Sequence, residues 1–224
     1  MNLVEYPDQD MMMIDLANIL AGSLNNALMH EDSVTLVVPG GTTPGPIFDY
    51  LCAADLDWAN VNIILSDERW VPETSDRSNT RLLKQRLLTE RAAAATLLPL
   101  YADSAKPEDK LDDLSAAIAP HLPISVLLLG MGDDMHTASL FPGADRLADA
   151  MDHHAPPLMA MRAPGASEPR ITLTAPVLSG ALDKHIVITG ANKRAALDRA
   201  KRTHDPMLAP VSAIWAGATV HWAA

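Results

Sequence analysis

Residues 124–130, ISVLLLG, form a short apolar run whose centre, VLLL (126–129), has no polar alternation. Such a run is typical of a strand in the centre of a parallel sheet, where helices cover both faces. Similar short runs recur along the chain and alternate with longer segments of helical character, a pattern that indicates βαβ units. The runs that predict strands are 34–38, 61–65, 124–130, 170–174, 185–190 and 212–217.

The segments between these strands predict helices. Their approximate bounds are 10–29, 44–54, 78–91, 107–119, 175–182 and 191–202. We therefore predict an α/β fold with a doubly wound, largely parallel sheet and helices on both faces. A chain of 224 residues is expected to form one domain, 1–224, around one sizeable core.

Composition and charge restrict the partners and the location. The net charge of -11, from 17 basic and 28 acidic residues, argues against nucleic acid as a partner, because its backbone requires a clustered basic surface. No apolar run approaches the roughly 20 residues of a membrane-spanning helix. The single cysteine, Cys52, and an N-terminus without a basic region followed by an apolar run indicate a cytoplasmic protein.

The segment PGGTTP (39–44) follows the strand predicted at 34–38. Glycines let the backbone approach an anion, threonine caps a helix, and proline fits the first helical turn. Because a helix N-terminus offers free N–H groups to a phosphate, this pattern predicts a phosphate cradle. An ordinary strand-to-helix turn has the same composition and remains an alternative. The cradle residues are Gly40, Gly41, Thr42 and Thr43.

Charged and polar residues also follow other predicted strands. Asp67, Glu68 and Arg69 come after the strand at 61–65, and Lys193 comes after the strand at 185–190. In a parallel sheet, ligands gather at the carboxyl ends of the strands, so these residues are expected on the same edge as the cradle. Arg69 and Lys193 would supply charge-assisted donors to a phosphate there. Solvated surface charges are the alternative for both.

The segment GMGDDMH (130–136) follows the central apolar run. His136 can accept a proton from water near neutral pH, and Asp134 can orient its ring. A metal site at these two residues is the alternative, but no further ligand follows at a recognisable spacing. The remaining histidines lack such acidic company and are interpreted as structural or surface residues: His30, His121, His153, His154, His185, His204 and His221.

Together these segments resemble the 6-phosphogluconolactonase family over most of the chain. The resemblance is carried by PGGTTP (39–44), SDERWVP (66–72), SN (78–79), GMGDDMHTASLFPG (130–143), RITLT (170–174) and ITGANK (188–193). It implies hydrolysis of 6-phospho-D-glucono-1,5-lactone, a small sugar-phosphate lactone of the oxidative pentose phosphate pathway. It further implies a Rossmann-like fold and no metal or organic cofactor. We expect a monomer or a small homo-oligomer.

The resemblance also implies roles for individual residues. His136 would be the general base and Asp134 would stabilise its charged form. The 6-phosphate would lie on the cradle, with Arg69 and Lys193 as counter-charges and Arg170 as a third candidate. Backbone N–H groups of the turn at 130–136 would bind the oxyanion. The further site candidates are Asp67, Glu68, Asn79, Gly130 and Gly132.

Met135 departs from the family pattern, which usually has glycine between the aspartate and the histidine. If this position requires a positive φ, methionine there introduces backbone strain of about 1–3 kcal/mol. Two rival functions follow from the same residues. One is a non-catalytic sugar-phosphate sensor, and the other is a glucosamine-6-phosphate deaminase. The deaminase family has a glutamate five residues after its histidine, whereas Phe141 occupies that position here.

Overall fold

A computed structural model describes residues 1–224 and contains ten strands and seven α-helices. The strands are β1 (Asn2–Tyr6), β2 (Val34–Val38), β3 (Val61–Leu65), β4 (Asp67–Arg69), β5 (Thr96–Leu98), β6 (Val126–Gly130), β7 (Leu158–Met161), β8 (Arg170–Leu173), β9 (Asp183–Thr189) and β10 (Thr219–Ala223). The α-helices are α1 (Gln9–Leu28), α2 (Gly45–Leu51), α3 (Asn79–Arg86), α4 (Leu111–Ile118), α5 (Leu147–Met151), α6 (Ala175–Ser179) and α7 (Gly190–Arg202). No helix is both long enough and apolar enough to cross a membrane.

Seven strands form one sheet in the order β1-β10-β9-β6-β2-β3-β5, and every neighbouring pair is parallel. From β2 the chain proceeds outward through β3 and β5, whereas from β6 it proceeds in the opposite direction through β9 and β10. The strand order therefore reverses between β2 and β6, which is where open α/β sheets bind ligands. The predicted doubly wound α/β fold with a largely parallel sheet is confirmed.

The core explains why the central strands are apolar throughout. All five residues of β2 are buried, and in β6 only the terminal glycine is partly exposed. Helix α1 buries Leu16, Leu20 and Leu24 on one face, as its apolar spacing requires. Fifty-five buried residues form one continuous apolar cluster. The strand ends are thereby held on a rigid support, and the loops that follow them can carry polar groups.

One of the strand predictions was wrong in part, and another was wrong altogether. Residues 170–174 form a strand, but β8 belongs to a separate antiparallel sheet of order β4-β8-β7 rather than to the parallel sheet. Residues 212–217 do not form a strand. A 3₁₀ helix at Pro210–Ala213 begins at a proline, and Gly217 takes a positive φ of 75°, so the last strand starts only at Thr219.

Candidate active site

A cavity of about 270 Å³ lies at the carboxyl ends of β2, β3, β6 and β9, four adjacent parallel strands. Its walls include most of the residues that the sequence motifs predicted. These are Gly40, Gly41, Thr42, Thr43, Asp67, Arg69, Asn79, Gly130, Gly132, His136, Arg170 and Lys193. Pro39, Pro44, Met131, Ala138 and Val187 complete the lining; the first four lie within the sequence motifs but were not named as site residues.

The cradle is a loop that depends on its two glycines. Gly41 has a φ of +86°, and a Cβ at Gly40 would overlap the side chain of Asn79. Asn79 is fixed in that place because its Nδ2 donates to the backbone oxygen of Asp67 at 3.0 Å. The expected threonine cap was wrong, because α2 begins after Pro44 and no side chain caps it. The backbone N–H groups at this turn are therefore not occupied by a capping hydroxyl.

Arg69 and Lys193 place positive charge at the cavity. Arg69 extends from β4 and donates through Nη1 to the backbone oxygen of Arg77 at 2.7 Å. Its Nε lies 3.9 Å from the carboxylate of Glu168 but is buried without a hydrogen-bond partner. Lys193 lies near the start of α7, which opens at Gly190 with a φ of +80°. Both side chains can therefore act as donors to an anion in the cavity.

Glu68 is not among the cavity residues. Its side chain is fully buried and its carboxylate accepts hydrogen bonds from the backbone nitrogens of Asn79 at 2.8 Å and Thr80 at 2.7 Å. The carboxylate therefore binds the N-terminus of α3, where it also interacts favourably with the helix dipole. Glu68 fixes the junction between β4 and α3, from which Arg69 and Asn79 extend.

Asp67 and Arg170 lie together on the second sheet. The carboxylate of Asp67 accepts a hydrogen bond from Ser139 Oγ at 2.6 Å and lies 3.7 Å from Arg170 Nη1. Arg170 Nε is buried without a hydrogen-bond partner. Burial lowers the pKa of Arg170, and the charge of Asp67 opposes that effect. A largely desolvated cation thus faces the cavity beside its counter-charge.

His136 and Asp134 form a hydrogen-bonded pair beside the cavity. The ring atom Nδ1 of His136 contacts Asp134 Oδ1, which also accepts the backbone N–H of His136 at 3.2 Å. Burial alone would raise the pKa of Asp134, but the hydrogen bond and the charge of His136 outweigh it, so the pKa is lowered. With Nδ1 directed to the carboxylate, Nε2 is the atom left to accept a proton.

The backbone of this turn is held from several directions. Met135 has a φ of +67°, so the condition for backbone strain at this position is met. The backbone oxygen of Met135 accepts the N–H of Val211 at 3.1 Å, and the backbone oxygen of Asp133 accepts Arg199 Nη2 at 2.6 Å. A Cβ at Gly132 would overlap the ring of His136, so only glycine leaves room for this ring position.

His185 and His221 are buried in the sheet, which fits their interpretation as structural residues, but both have polar partners that the sequence did not reveal. His221 Nε2 lies 3.0 Å from His185 Nδ1, and His221 Nδ1 lies 3.0 Å from the hydroxyl of Tyr6. His185 Nε2 in turn lies 3.1 Å from the carboxylate of Asp183. Burial and the charge of His185 lower the pKa of His221 to about 4. This buried histidine pair lies outside the cavity and has no access to a substrate there.

The fold and the site together define an α/β protein with an anion cradle next to a histidine–carboxylate pair. The family model for glucosamine-6-phosphate isomerases/6-phosphogluconolactonase matches residues 7–222, and the chain belongs to this family.

Relatives and solved structures agree with this membership. The chain is 40% identical over 215 residues to 6-phosphogluconolactonase from Pseudomonas aeruginosa, covering 92% of this chain and 88% of that protein. It is 37% identical over 214 residues to the Rhizobium meliloti protein of the same name, covering 93% and 92%. A crystal structure of a 6-phosphogluconolactonase from Shewanella baltica superposes with a TM-score of 0.96 at 30% identity, covering 100% of this chain and 97% of that one.

Proposed function

We propose that this protein hydrolyses 6-phospho-D-glucono-1,5-lactone to 6-phospho-D-gluconate. The observation that carries the proposal is one cavity lined by an anion cradle, by the three cationic side chains of Arg69, Arg170 and Lys193, and by His136, which is paired with Asp134. The family and the named relatives support the same reaction.

Binding of the 6-phosphate is assigned to the cradle. Gly41, Thr42 and Thr43 offer the phosphate their backbone and hydroxyl donors, and Arg69 and Lys193 neutralise its charge. Fixing the phosphate at one end of a small cavity also fixes the lactone ring relative to His136. Positioning of this kind converts the attack of water into an effectively intramolecular step.

The chemical step is assigned to His136. Nε2 removes a proton from water as the water oxygen attacks the lactone carbonyl carbon, and Asp134 stabilises the imidazolium that forms. Backbone N–H groups of the turn at 130–136 are assigned to the negative oxygen of the tetrahedral intermediate. The bond between the carbonyl carbon and the ring oxygen then breaks, and the imidazolium returns its proton to that ring oxygen. This leaves a hydroxyl group and a carboxylic acid, which ionises in water.

We also propose a cellular setting for the reaction. A single buried cysteine without a disulfide partner fits the reducing cytoplasm, where the oxidative pentose phosphate pathway would supply the lactone. We place the chain there as one domain, in a monomer or a small homo-oligomer. Light scattering of the purified protein and fractionation of the source cells test these points.

The deciding experiment follows the lactone directly. 6-Phosphogluconolactone is generated in situ and its disappearance is measured with and without protein, at a pH where spontaneous hydrolysis is slow. The matched control is D-glucono-1,5-lactone, which lacks the phosphate and should be hydrolysed far more slowly. Absence of acceleration by folded protein would overturn the proposal. Ammonia release from glucosamine 6-phosphate would then indicate the deaminase, and binding of 6-phosphogluconate without turnover would indicate the sensor.

A further inference from the structure

Phe141 lies directly against the ring of His136. The centroids of the two rings are 4.0 Å apart and their planes are inclined by 25°, which is a stacked arrangement. The guanidinium carbon of Arg170 lies over the same phenyl ring, 5.1 Å from its centroid. Phe141 therefore contacts two polar side chains of the site, although it does not itself line the cavity.

The hydrogen bond to Asp134 leaves the His136 ring incompletely fixed. Asp134 is a half-exposed side chain on a surface turn, and a single hydrogen bond at Nδ1 still allows the imidazole plane to tilt about it. The groups packed against the two sides of the imidazole ring restrict this tilt. One of them is Gly132, where no side chain is tolerated, and another is the phenyl ring of Phe141.

Phe141 is itself held in place by the residues before it. Two residues earlier, Ser139 is fully buried, its backbone N–H bonds to Thr172 Oγ1 at 3.2 Å and its hydroxyl bonds to Asp67 at 2.6 Å. Leu140, the next residue, is buried in the apolar core. The phenyl ring thus starts from a backbone that is anchored to the second sheet, and it is a firm support for His136.

We propose that Phe141 is a positioning residue that holds the His136 ring and favours its charged form during the reaction. The proposal rests on the lactonase function proposed above. As His136 takes the proton of the attacking water, its ring becomes a cation against the face of an aromatic ring, an arrangement that is more strongly stabilising in that charged form. An interaction that strengthens along the reaction raises kcat rather than improving substrate binding.

The test compares Phe141→Leu with Phe141→Tyr in the lactone assay. Phe141→Leu is expected to lower kcat about tenfold and to leave KM within about twofold, whereas Phe141→Tyr keeps the ring and retains kcat within about threefold. Inhibition by inorganic phosphate should be the same in all three proteins, because the cradle is untouched. Leu140→Val is the control for general loosening of this segment. It should lower the melting temperature with kcat unchanged.

Each outcome decides the matter. If the wild type hydrolyses the lactone and Phe141→Leu has the same kcat, the positioning role is overturned and the proposed function stands. The positioning role would also be overturned if Leu140→Val lowered kcat as strongly as Phe141→Leu. A Phe141→Tyr variant that failed to retain kcat would overturn it as well. Absence of wild-type turnover would overturn the proposed function and this role together. A kcat loss in Phe141→Leu alone, without a change in phosphate inhibition, supports the proposal.

Discussion

A comparison of the histidine–carboxylate pair at the cavity with the one buried in the sheet shows how differently the two are surrounded. His136 and Asp134 lie on a turn beside the cavity, with 28% and 52% of their side chains exposed. His185 and His221 lie on adjacent strands, β9 and β10, and only 5% and 1% of these residues is exposed. The side chain of His136 can therefore exchange protons with water and substrate, whereas the lowered pKa of the buried His221 means that protonating it opposes folding. The position of each histidine relative to the sheet therefore decides whether it is accessible to substrate or buried in the fold.

The largest effect should come from His136→Ala, which removes the proposed base. We expect kcat to fall by about 10²- to 10⁴-fold, the usual contribution of a positioned acid–base group. The free energy of unfolding should change by less than about 1 kcal/mol, because the side chain is partly exposed on a turn. Lactone turnover and urea denaturation measure the two quantities. His30→Ala, at an exposed position, is the control and should alter neither. Retained turnover in His136→Ala would place the base elsewhere.

The buried pair should instead determine stability in acid. The folded-state pKa of His221 is about 4, below its ordinary value of 6.5, so between these values the unfolded chain binds a proton that the folded chain does not. Stability is therefore fully present above pH 6.5 and is lost as the pH falls towards 4, by about 3 kcal/mol from this group. Urea denaturation at a series of pH values measures the loss.

His221→Gln is the matched variant for that measurement, because it keeps a polar side chain and removes the titration. The slope of unfolding free energy against pH between 6.5 and 4 should decrease in this variant. The lowered pKa of Asp134 also reduces stability in acid, but it contributes equally to both proteins. Identical slopes would show that the buried pair is not the acid-sensitive element.

The two regions also differ in how far the sequence predicts them. Most of the cavity residues follow soon after apolar strands, and parallel strands bring all such loops to one edge, so local motifs were sufficient for them. The buried pair depends on the alignment of Thr219 with His185 and of Val4 with His221, between strands that are distant in the sequence. Two of these strands, β1 and β10, carry weak patterns and were not predicted.

Glu68 shows the same limit within the site. It stands between Asp67 and Arg69, which both line the cavity, yet its carboxylate turns away to groups ten to twelve residues later in the chain. A run of charges at a strand end predicts that polar groups gather there. It does not predict which of them faces the substrate, because that depends on the direction of each side chain from the short strand β4.

A smaller effect is expected from Lys193→Ala, which separates substrate binding from proton transfer within the cavity that contains His136. Loss of one counter-charge to the phosphate should raise KM by about tenfold, with a much smaller change in kcat. Lys201→Ala is the control on the same helix, since its ammonium lies 3.7 Å from Asp198, outside the cavity. Steady-state kinetics with the phosphorylated lactone provide the comparison. A kcat loss equal to that of His136→Ala would mean that Lys193 takes part in the chemistry instead.

The smallest effect should come from Met135→Gly, which tests whether the catalytic turn is strained. Methionine at a φ of +67° costs about 1 kcal/mol that glycine does not pay, while the partial packing of Met135 against the core offsets some of the gain. We expect the free energy of unfolding to rise by about 0.5 kcal/mol. Asp133→Gly, at a neighbouring position without a positive φ, should lower it by a similar amount.

Thermal and urea denaturation of Met135→Gly and Asp133→Gly test whether the turn is strained. Equal destabilisation by the two substitutions would show that it is relaxed. Turnover of Met135→Gly should stay within about twofold of wild type. The contacts that fix this turn, from Val211 to the backbone oxygen of Met135 and from Arg199 to that of Asp133, do not involve the side chain of residue 135. The geometry of His136 therefore depends on backbone contacts that either residue can make, and the methionine is tolerated because those contacts hold the positive φ in place.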